Sequence, residues 1–209
     1  PIIGCEVYVC RDRLDKSAAN REYSHLILLC ENNTGYQNLM KLVSEGFLTG
    51  YYYRPRIDYN LIRQHSEGLI CLSACLSGDL PKLLLQGRYD DAEAYVREMQ
   101  DIFGEKNFYV EIMDHGIREE KIVMPRLISL AREMNVPLVA TNDCHYLEEK
   151  DADAQEVLLC IQTGKTLDDA NRMRMDTRQL YVKSEDEMRT LFAACPDAVD
   201  RTQEIADRC

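Results

Sequence analysis

The sequence predicts an α/β fold with a largely parallel β-sheet. Short apolar runs, typical of buried strands, alternate with segments whose apolar residues recur at three- and four-residue spacing, as on one face of a helix. Such alternation favours strand–helix–strand units over an all-helical or all-strand architecture. The predicted strands cover residues 2–9, 25–30, 69–73, 108–112 and 138–141.

The first two predicted strands differ from the others because residues 10–24 between them show no helical pattern. This link carries several charged residues instead. We therefore interpret the two strands as an antiparallel ribbon, in which the start of the second strand lies near the end of the first. This pairing would bring His25 towards Glu6.

Three helices are predicted in the segments that follow the second, third and fourth strands. The first comes after Asn33-Thr34-Gly35, the second is ended by Gly104, and the third runs into Val136-Pro137. Their apolar faces consist of Tyr36, Leu39, Met40, Val43 and Phe47; of Ala92, Tyr95, Val96, Met99 and Phe103; and of Ile122, Leu127, Leu130, Ala131 and Met134.

The pattern changes after about residue 150, so we divide the chain into residues 1–150 and residues 151–209. The second part begins with a predicted helix at 152–162, followed by a polar loop and a brief strand at 181–183. Ser184 and Glu187 predict a capping box for a helix that ends near Cys195. Pro196 begins a last amphipathic helix, which makes this part a helical extension.

Composition limits the classes of function. With 45% hydrophobic residues the chain can bury a substantial core, and it has no run of 18 apolar residues that would predict a membrane span. The formal charge of −11 argues against a domain that grips a nucleic-acid backbone by itself. Nine cysteines without a CxxC pair favour a reducing cytoplasm over a disulfide framework or a zinc ribbon.

A metal-binding motif is predicted where the last strand ends, in Thr141-Asn142-Asp143-Cys144-His145-Tyr146. In an extended backbone Asp143 and His145 point to the same face, and a carboxylate beside an imidazole suits a divalent metal. The alternative is a capped turn with a surface Asp and a hydrogen-bonded His, and two residues alone do not decide between these readings. Cys144 points the opposite way and is not read as a nucleophile.

Three further metal donors are associated with predicted strands. Glu6 lies in an apolar strand, where a carboxylate is costly unless it is paired or metal-bound; an ion pair with Arg11 or Arg13, or an edge position, is the alternative. His25 opens the second strand and Cys75 ends the third, and the alternatives are a satisfied rim histidine and an inert buried thiol. Five such donors at strand ends favour a polynuclear metal site.

The two remaining histidines have weaker claims to a functional role. His65 is interpreted as a solvated helix end. His115 follows the strand at 108–112, so it could border the same cleft without binding the metal directly. The chain contains neither a Gly-rich phosphate loop nor a GxSxG motif.

Motifs along the whole chain resemble the polymerase-and-histidinol-phosphatase (PHP) domain in the amino-terminal region of bacterial DNA polymerase III alpha subunits. These motifs are Gly4-Cys5-Glu6-Val7-Tyr8-Val9, His25-Leu26, Asn32-Asn33-Thr34-Gly35-Tyr36-Gln37-Asn38-Leu39, Gly68-Leu69-Ile70, Cys75-Leu76-Ser77-Gly78-Asp79, Asp114-His115-Gly116, Ala140-Thr141-Asn142-Asp143-Cys144-His145-Tyr146 and Glu204-Ile205-Ala206-Asp207-Arg208-Cys209. They are specific in combination.

The resemblance implies a distorted (β/α)7 barrel, related to the TIM barrel, with up to three metal ions at one mouth. The positions that match the family's ligands are Glu6, His25, Cys75, Asp143 and His145, with Asp143 and His145 as the catalytic pair. Zinc, manganese or iron would suit this mixture of nitrogen, oxygen and sulfur ligands.

The family's first strands, a His-x-His motif and a Thr-Asp-His-Gly turn, would lie upstream of the residue that matches Pro1. The chain opens inside a strand-like run and without Met, so we expect a fragment whose natural start lies further upstream. Four further ligands would then be missing and the barrel would be open. We expect weakened metal binding, an inactive isolated fragment, and exposed edges or apolar surface that favour self-association.

The resemblance further implies that the parent protein synthesises DNA with other domains, while this domain performs 3′→5′ exonuclease proofreading by metal-assisted phosphodiester hydrolysis. Expected partners are DNA, the sliding clamp, the clamp loader and a proofreading subunit. Two alternatives stay open: a small-molecule phosphatase of the same superfamily, and a non-catalytic module that stabilises the polymerase or docks a separate proofreading subunit.

Overall fold

A computed structural model describes residues 1–209 and confirms the α/β fold class. Six strands form one sheet in the order β3-β1-β2-β4-β5-β6. The strands are β1 (Gly4–Cys10), β2 (Ser24–Cys30), β3 (Arg56–Asp58), β4 (Leu69–Leu72), β5 (Phe108–Ile112) and β6 (Leu138–Ala140). The helices are α1 (Asn33–Leu48), α2 (Tyr59–Gln64), α3 (Asp79–Leu85), α4 (Tyr89–Phe103), α5 (Arg118–Glu133), α6 (Ala152–Thr163), α7 (Glu185–Leu191) and α8 (Pro196–Arg208).

β2 is the one strand that runs against the others. It pairs antiparallel with β1 on one side and with β4 on the other, whereas β1 with β3, β4 with β5, and β5 with β6 pair in parallel. The predicted antiparallel ribbon at the start of the chain is therefore confirmed. The sheet ends at β3 and β6, which do not pair with each other, so the six strands form an open sheet.

The sheet has two unlike faces because side chains alternate along each strand. The first face is packed against helices and belongs to an apolar cluster of 34 buried residues, including Leu28 and Val110, which makes it the main core. The second face has a buried cluster of only five residues, among them Tyr109, Val139 and Ile205 of α8. Polar side chains are therefore tolerated on the second face.

Several helix boundaries are set by capping residues, glycine or proline at the helix ends. The Asn32 side chain accepts a hydrogen bond from the Gly35 amide at 3.0 Å and so caps α1. Gly104 ends α4 with φ 86°, a conformation that glycine adopts without steric cost. The capping box of Ser184 and Glu187 begins α7, and Pro196 occupies the first turn of α8.

Some elements differ from the sequence-based predictions. β3, α2 and α3 were not predicted, because segments of three to seven residues are too short for a periodic pattern to be recognised. The predicted strand at 181–183 was wrong, since only one bridge joins Tyr181 to Tyr146. The helix predicted to end near Cys195 ends at Leu191 instead.

The surface carries exposed apolar side chains around α6. Leu147, Leu158 and Ile161 are each more than half exposed. The self-association expected from such surface stays a prediction, as does the division of the chain at residue 150. None of the helices is long and apolar enough to cross a lipid bilayer.

Candidate functional site

The register of β1 against β2 places a carboxylate and an imidazole together on the second face. Tyr8 is opposite His25 and Glu6 is opposite Ile27, so Glu6 and His25 are diagonal neighbours across the pair. Val7 and Leu26 point into the main core, and therefore Glu6 and His25 point away from it. The predicted approach of His25 to Glu6 is confirmed.

His25 lies between Glu6 and Cys75. Its Nδ1 is 3.3 Å from Glu6 Oε1 and 3.8 Å from Cys75 Sγ. The turn after β4 is held against β2 because the His25 amide donates to the Ser77 carbonyl oxygen at 3.1 Å. The ring of Tyr23 is nearly parallel to that of His25, with centroids 6.2 Å apart.

These contacts change the acid–base properties of the group. Hydrogen bonds to Cys75 and to Glu6 raise the pKa of His25 to about 9. The hydrogen bond to His25 lowers the pKa of Glu6, and the more distant charge of His145 acts in the same direction. In the metal-free chain the imidazole is therefore cationic at neutral pH, and a metal ion would have to displace its proton.

Asp143 and His145 form a second pair beyond the end of β6. The sequence analysis assumed an extended backbone there, but Asp143 has φ 40°, so the backbone is not extended. The two side chains still meet: His145 Nδ1 is 3.9 Å from Asp143 Oδ1 and 2.6 Å from the Asp143 carbonyl oxygen. The His145 amide donates to the Leu180 carbonyl oxygen at 2.8 Å, which anchors the turn.

The donor chemistry of these five residues fits a divalent metal. Metal-binding histidines commonly donate one ring N–H to a backbone carbonyl and leave the other nitrogen free, and His145 Nδ1 faces such a carbonyl. The side chains nevertheless form two groups, and no three histidine, cysteine or acidic side chains stand close enough together to hold one ion. The five-ligand assignment stays a prediction.

Glu111 is a further acidic residue at the site, which the sequence analysis missed. It lies on the second face of β5, two residues after Tyr109, and is only 4% exposed. Burial raises its pKa to about 7, against the hydrogen bond from Thr141 that lowers it. Glu6 was recognised as a candidate because it is an acidic residue within an apolar strand. Glu111 has the same sequence context and could have been recognised in the same way.

His115 was expected to border the cleft, and the structure places it in a buried network beside Asp143. Its Nδ1 is 2.6 Å from Glu120 Oε1 and its Nε2 is 2.9 Å from the Asn142 carbonyl oxygen. Burial lowers the pKa of His115, but the hydrogen bond and charge of Glu120 outweigh burial and raise it. His115 therefore supports the turn that leads into Asp143.

The two other residues considered in the sequence analysis are His65 and Cys144. His65 follows the last residue of α2, so the prediction of a helix end is confirmed. Cys144 is exposed, and burial of its sulfur on one side raises the pKa of its thiol, which does not favour a thiolate nucleophile.

Comparison with known proteins gives consistent results. The PHP domain family matches residues 1–115. The chain is 50% identical to DNA polymerase III subunit alpha of Treponema pallidum, 44% identical to that of Borreliella burgdorferi and 44% identical to that of Thermus aquaticus. Each alignment covers 100% of this chain but only 18% of the relative, so the chain spans about a fifth of those proteins.

Proposed function

This chain belongs to the PHP domain family, and from that premise we propose that it is the PHP region of a replicative DNA polymerase subunit, with metal-dependent 3′→5′ exonuclease activity. The observation that carries the proposal is the contact of His25 with both the Glu6 carboxylate and the Cys75 thiol on the second face of the sheet. A carboxylate, an imidazole and a thiol are donor types that a hydrolytic metal site uses.

The proposed metal ligands fall into two sets. Glu6, His25 and Cys75 would hold metal on one side, and Asp143 with His145 would hold it on the other. Bound zinc, manganese or iron would supply a Lewis acid and an activated water for attack on a terminal phosphodiester. The metal charge would also offset the repulsion between a phosphate substrate and a chain of formal charge −11.

The chain's own groups orient the donors and handle protons. The Asp143 carbonyl oxygen fixes the His145 ring through Nδ1, at 2.6 Å. Glu6 and Cys75 both contact the His25 ring at Nδ1. Glu111, with its pKa raised to about 7 by burial, could carry a proton close to the site at neutral pH.

Activities of the whole parent protein are proposed from the names of the relatives. We propose that other parts of the parent catalyse DNA-directed DNA synthesis, as the name of the Treponema pallidum relative indicates for that protein. DNA, the sliding clamp, the clamp loader and a proofreading subunit are the proposed partners, and the bacterial cytoplasm is the proposed location.

Replacement of Asp143 tests the exonuclease proposal in the full-length protein that contains this chain. Asp143→Asn removes a charged donor with little change in volume, so primer excision should fall at least about 100-fold while DNA synthesis continues. Asp101→Asn, on the exposed face of α4, is the matched control and should keep both activities. Undiminished excision by the Asp143 variant would defeat the assignment.

A non-catalytic role is the second candidate, and one observation favours it. The side chains at the site do not form a three-donor group in this chain. A structural module that stabilises the polymerase or docks a proofreading subunit would not require such a group. Metal analysis of the full-length protein, together with the primer-excision assay, separates the two: bound metal without excision would support the structural role.

A further inference from the structure

Glu111 stands between the two turns that carry proposed metal ligands. The turn after β4 carries Cys75, and the turn after β6 carries Asp143. β5 lies between these strands in the sheet, so a side chain at the end of β5 can reach both turns. Glu111 occupies that position and is almost completely buried.

Hydrogen bonds connect Glu111 to both turns. On the β4 side, the Glu111 amide donates to Ser73 Oγ at 2.9 Å. On the β6 side, Thr141 Oγ1 donates to Glu111 Oε1 at 2.5 Å. Glu111 therefore links Ser73, two residues before Cys75, with the segment that enters Asp143.

Both turns contain a residue in an unfavourable backbone conformation. Ala74 has φ 65° and Asp143 has φ 40°, and neither is a glycine. Such conformations are destabilising and persist only where the surrounding structure imposes them. The hydrogen bonds of Glu111 end at Ser73, which precedes Ala74, and at Thr141, two residues before Asp143.

The second carboxylate oxygen indicates that Glu111 does more than join strands. Glu111 Oε2 is buried and has no hydrogen-bond partner. A buried oxygen without a partner is destabilising, and such exceptions call for a specific explanation. Glu111 and Cys75 also line the same small cavity, of about 20 Å³, which is room for one water molecule.

We propose that Glu111 is a positioning residue, whose carboxylate fixes the placement of Cys75 relative to the Asp143–His145 pair. The proposal rests on the metal-dependent function proposed above. Glu111 acts through the two turns: its hydrogen bonds hold Ser73 and Thr141, and these residues set the direction of the donor side chains that follow them.

The hydroxyl of Thr141 allows a test that changes no charge. Thr141→Val removes the donor to Glu111, whereas Thr141→Ser keeps it. In a titration of the 209-residue chain with Co²⁺, Thr141→Val should weaken affinity about 10–100-fold, and Thr141→Ser should bind like the unaltered chain. The near-ultraviolet thiolate-to-Co²⁺ absorption band, which reports coordination by Cys75, should weaken in Thr141→Val alone.

Two further variants complete the metal titration. Glu111→Gln keeps the size of the side chain but replaces an acceptor oxygen by an amide group, so it should weaken Co²⁺ binding like Thr141→Val. Thr190→Val, on exposed α7, makes the same chemical change away from the site and should have no effect. Equal Co²⁺ affinities of Thr141→Val and Thr141→Ser would overturn the proposal, whether or not Glu111→Gln folds.

Alkylation of the metal-free chain tests the positioning role of Glu111 independently of metal binding. Iodoacetamide labelling, mapped by mass spectrometry, compares Cys75 with Cys209 at the far end of the chain. Cys75 should react faster, relative to Cys209, in Thr141→Val than in Thr141→Ser, and equal ratios would overturn the positioning role. Absence of Co²⁺ binding by the full-length protein that contains this chain would end the metal-dependent function, while the alkylation ratio would still decide the role of Glu111.

Discussion

Glu6 and Glu111 lie on the same face of the sheet, yet their pKa values move in opposite directions. The hydrogen bond from His25 lowers the pKa of Glu6, which keeps this half-exposed carboxylate ionised. Burial raises the pKa of Glu111 to about 7, because no cation offsets the loss of water around it. The environment thus suits Glu6 to bind a cation and Glu111 to carry a proton.

The buried pair of His115 and Glu120 yields a prediction on pH dependence. The pKa of His115 is raised from 6.5, and the pKa of Glu120 is lowered from 4.5. Stabilisation from the ion pair is therefore complete between pH 4.5 and 6.5. It is lost as pH falls through the lowered pKa of Glu120 or rises through the raised pKa of His115.

Glu120→Gln should reveal the pH range in which the His115–Glu120 ion pair stabilises the fold. At pH 5.5 or so the variant should lose about 3 kcal/mol of unfolding free energy, since it leaves a buried imidazolium without its partner. Urea unfolding at acidic, intermediate and alkaline pH measures the difference, which should shrink at both extremes. Glu119→Gln, one residue earlier on the exposed face of α5, is the control. A pH-independent difference would contradict the ion pair.

At the scale of elements, the site depends on two turns and one strand reversal. The antiparallel direction of β2 brings His25 beside Glu6, and the tight turn after β4 brings Cys75 beside His25. Gly78 permits that turn, because a Cβ at this position would overlap the Ser73 carbonyl oxygen. The turn after β6 contributes Asp143 and His145 as a separate pair.

Two glycines of helix α1 should respond oppositely to the same substitution. A Cβ on Gly35 would overlap the Gly68 carbonyl oxygen, so Gly35→Ala should destabilise the chain by about 1–3 kcal/mol. A Cβ on Gly46 would meet Ile57 Cγ2 at 3.4 Å, an ordinary contact. Gly46→Ala should therefore gain up to about 1 kcal/mol of helix propensity.

Chemical denaturation of both variants checks this prediction, because each value comes from the same helix in the same protein. Equal destabilisation by the two substitutions would show that α1 does not pack against the turn at Gly68 as described.

At the scale of the whole molecule, Arg208 joins the end of the chain to the sheet. It forms an ion pair with Glu31 at 2.9 Å. It also donates hydrogen bonds to Tyr109 Oη at 2.6 Å and to the Lys106 carbonyl oxygen at 2.8 Å, and it contacts Asn107. These groups lie just after β2, just before β5 or at the start of β5, at the opposite end of the strands from the candidate site. α8 is thereby fixed beneath the second face.

Arg208→Ala should loosen this connection. The loss of several charge-assisted hydrogen bonds predicts a destabilisation of about 2 kcal/mol, measured by urea unfolding. Arg189→Ala, which removes exposed ion pairs with Glu185 and Asp200, should change stability by less than about 1 kcal/mol. Similar effects of the two variants would mean that α8 is held by apolar packing alone.

The sequence by itself determined the α/β class, the main strands and helices, and the family. Strands and helices were predicted from the local spacing of apolar residues, which is visible in the sequence itself. The antiparallel start was also readable, because the link between β1 and β2 has no helical pattern. The donors at Glu6, His25 and Cys75 were recognised for the same local reason, as polar groups in or beside apolar strands.

Only the tertiary structure decided which donors meet. It placed His25 between Glu6 and Cys75 and left Asp143 with His145 as a second pair, since the left-handed backbone at Asp143 redirects that turn. It also showed that Glu111 reaches both turns, because β5 lies between β4 and β6. Distances between side chains on different strands depend on strand order and register, and these are set by packing of the whole core rather than by local sequence.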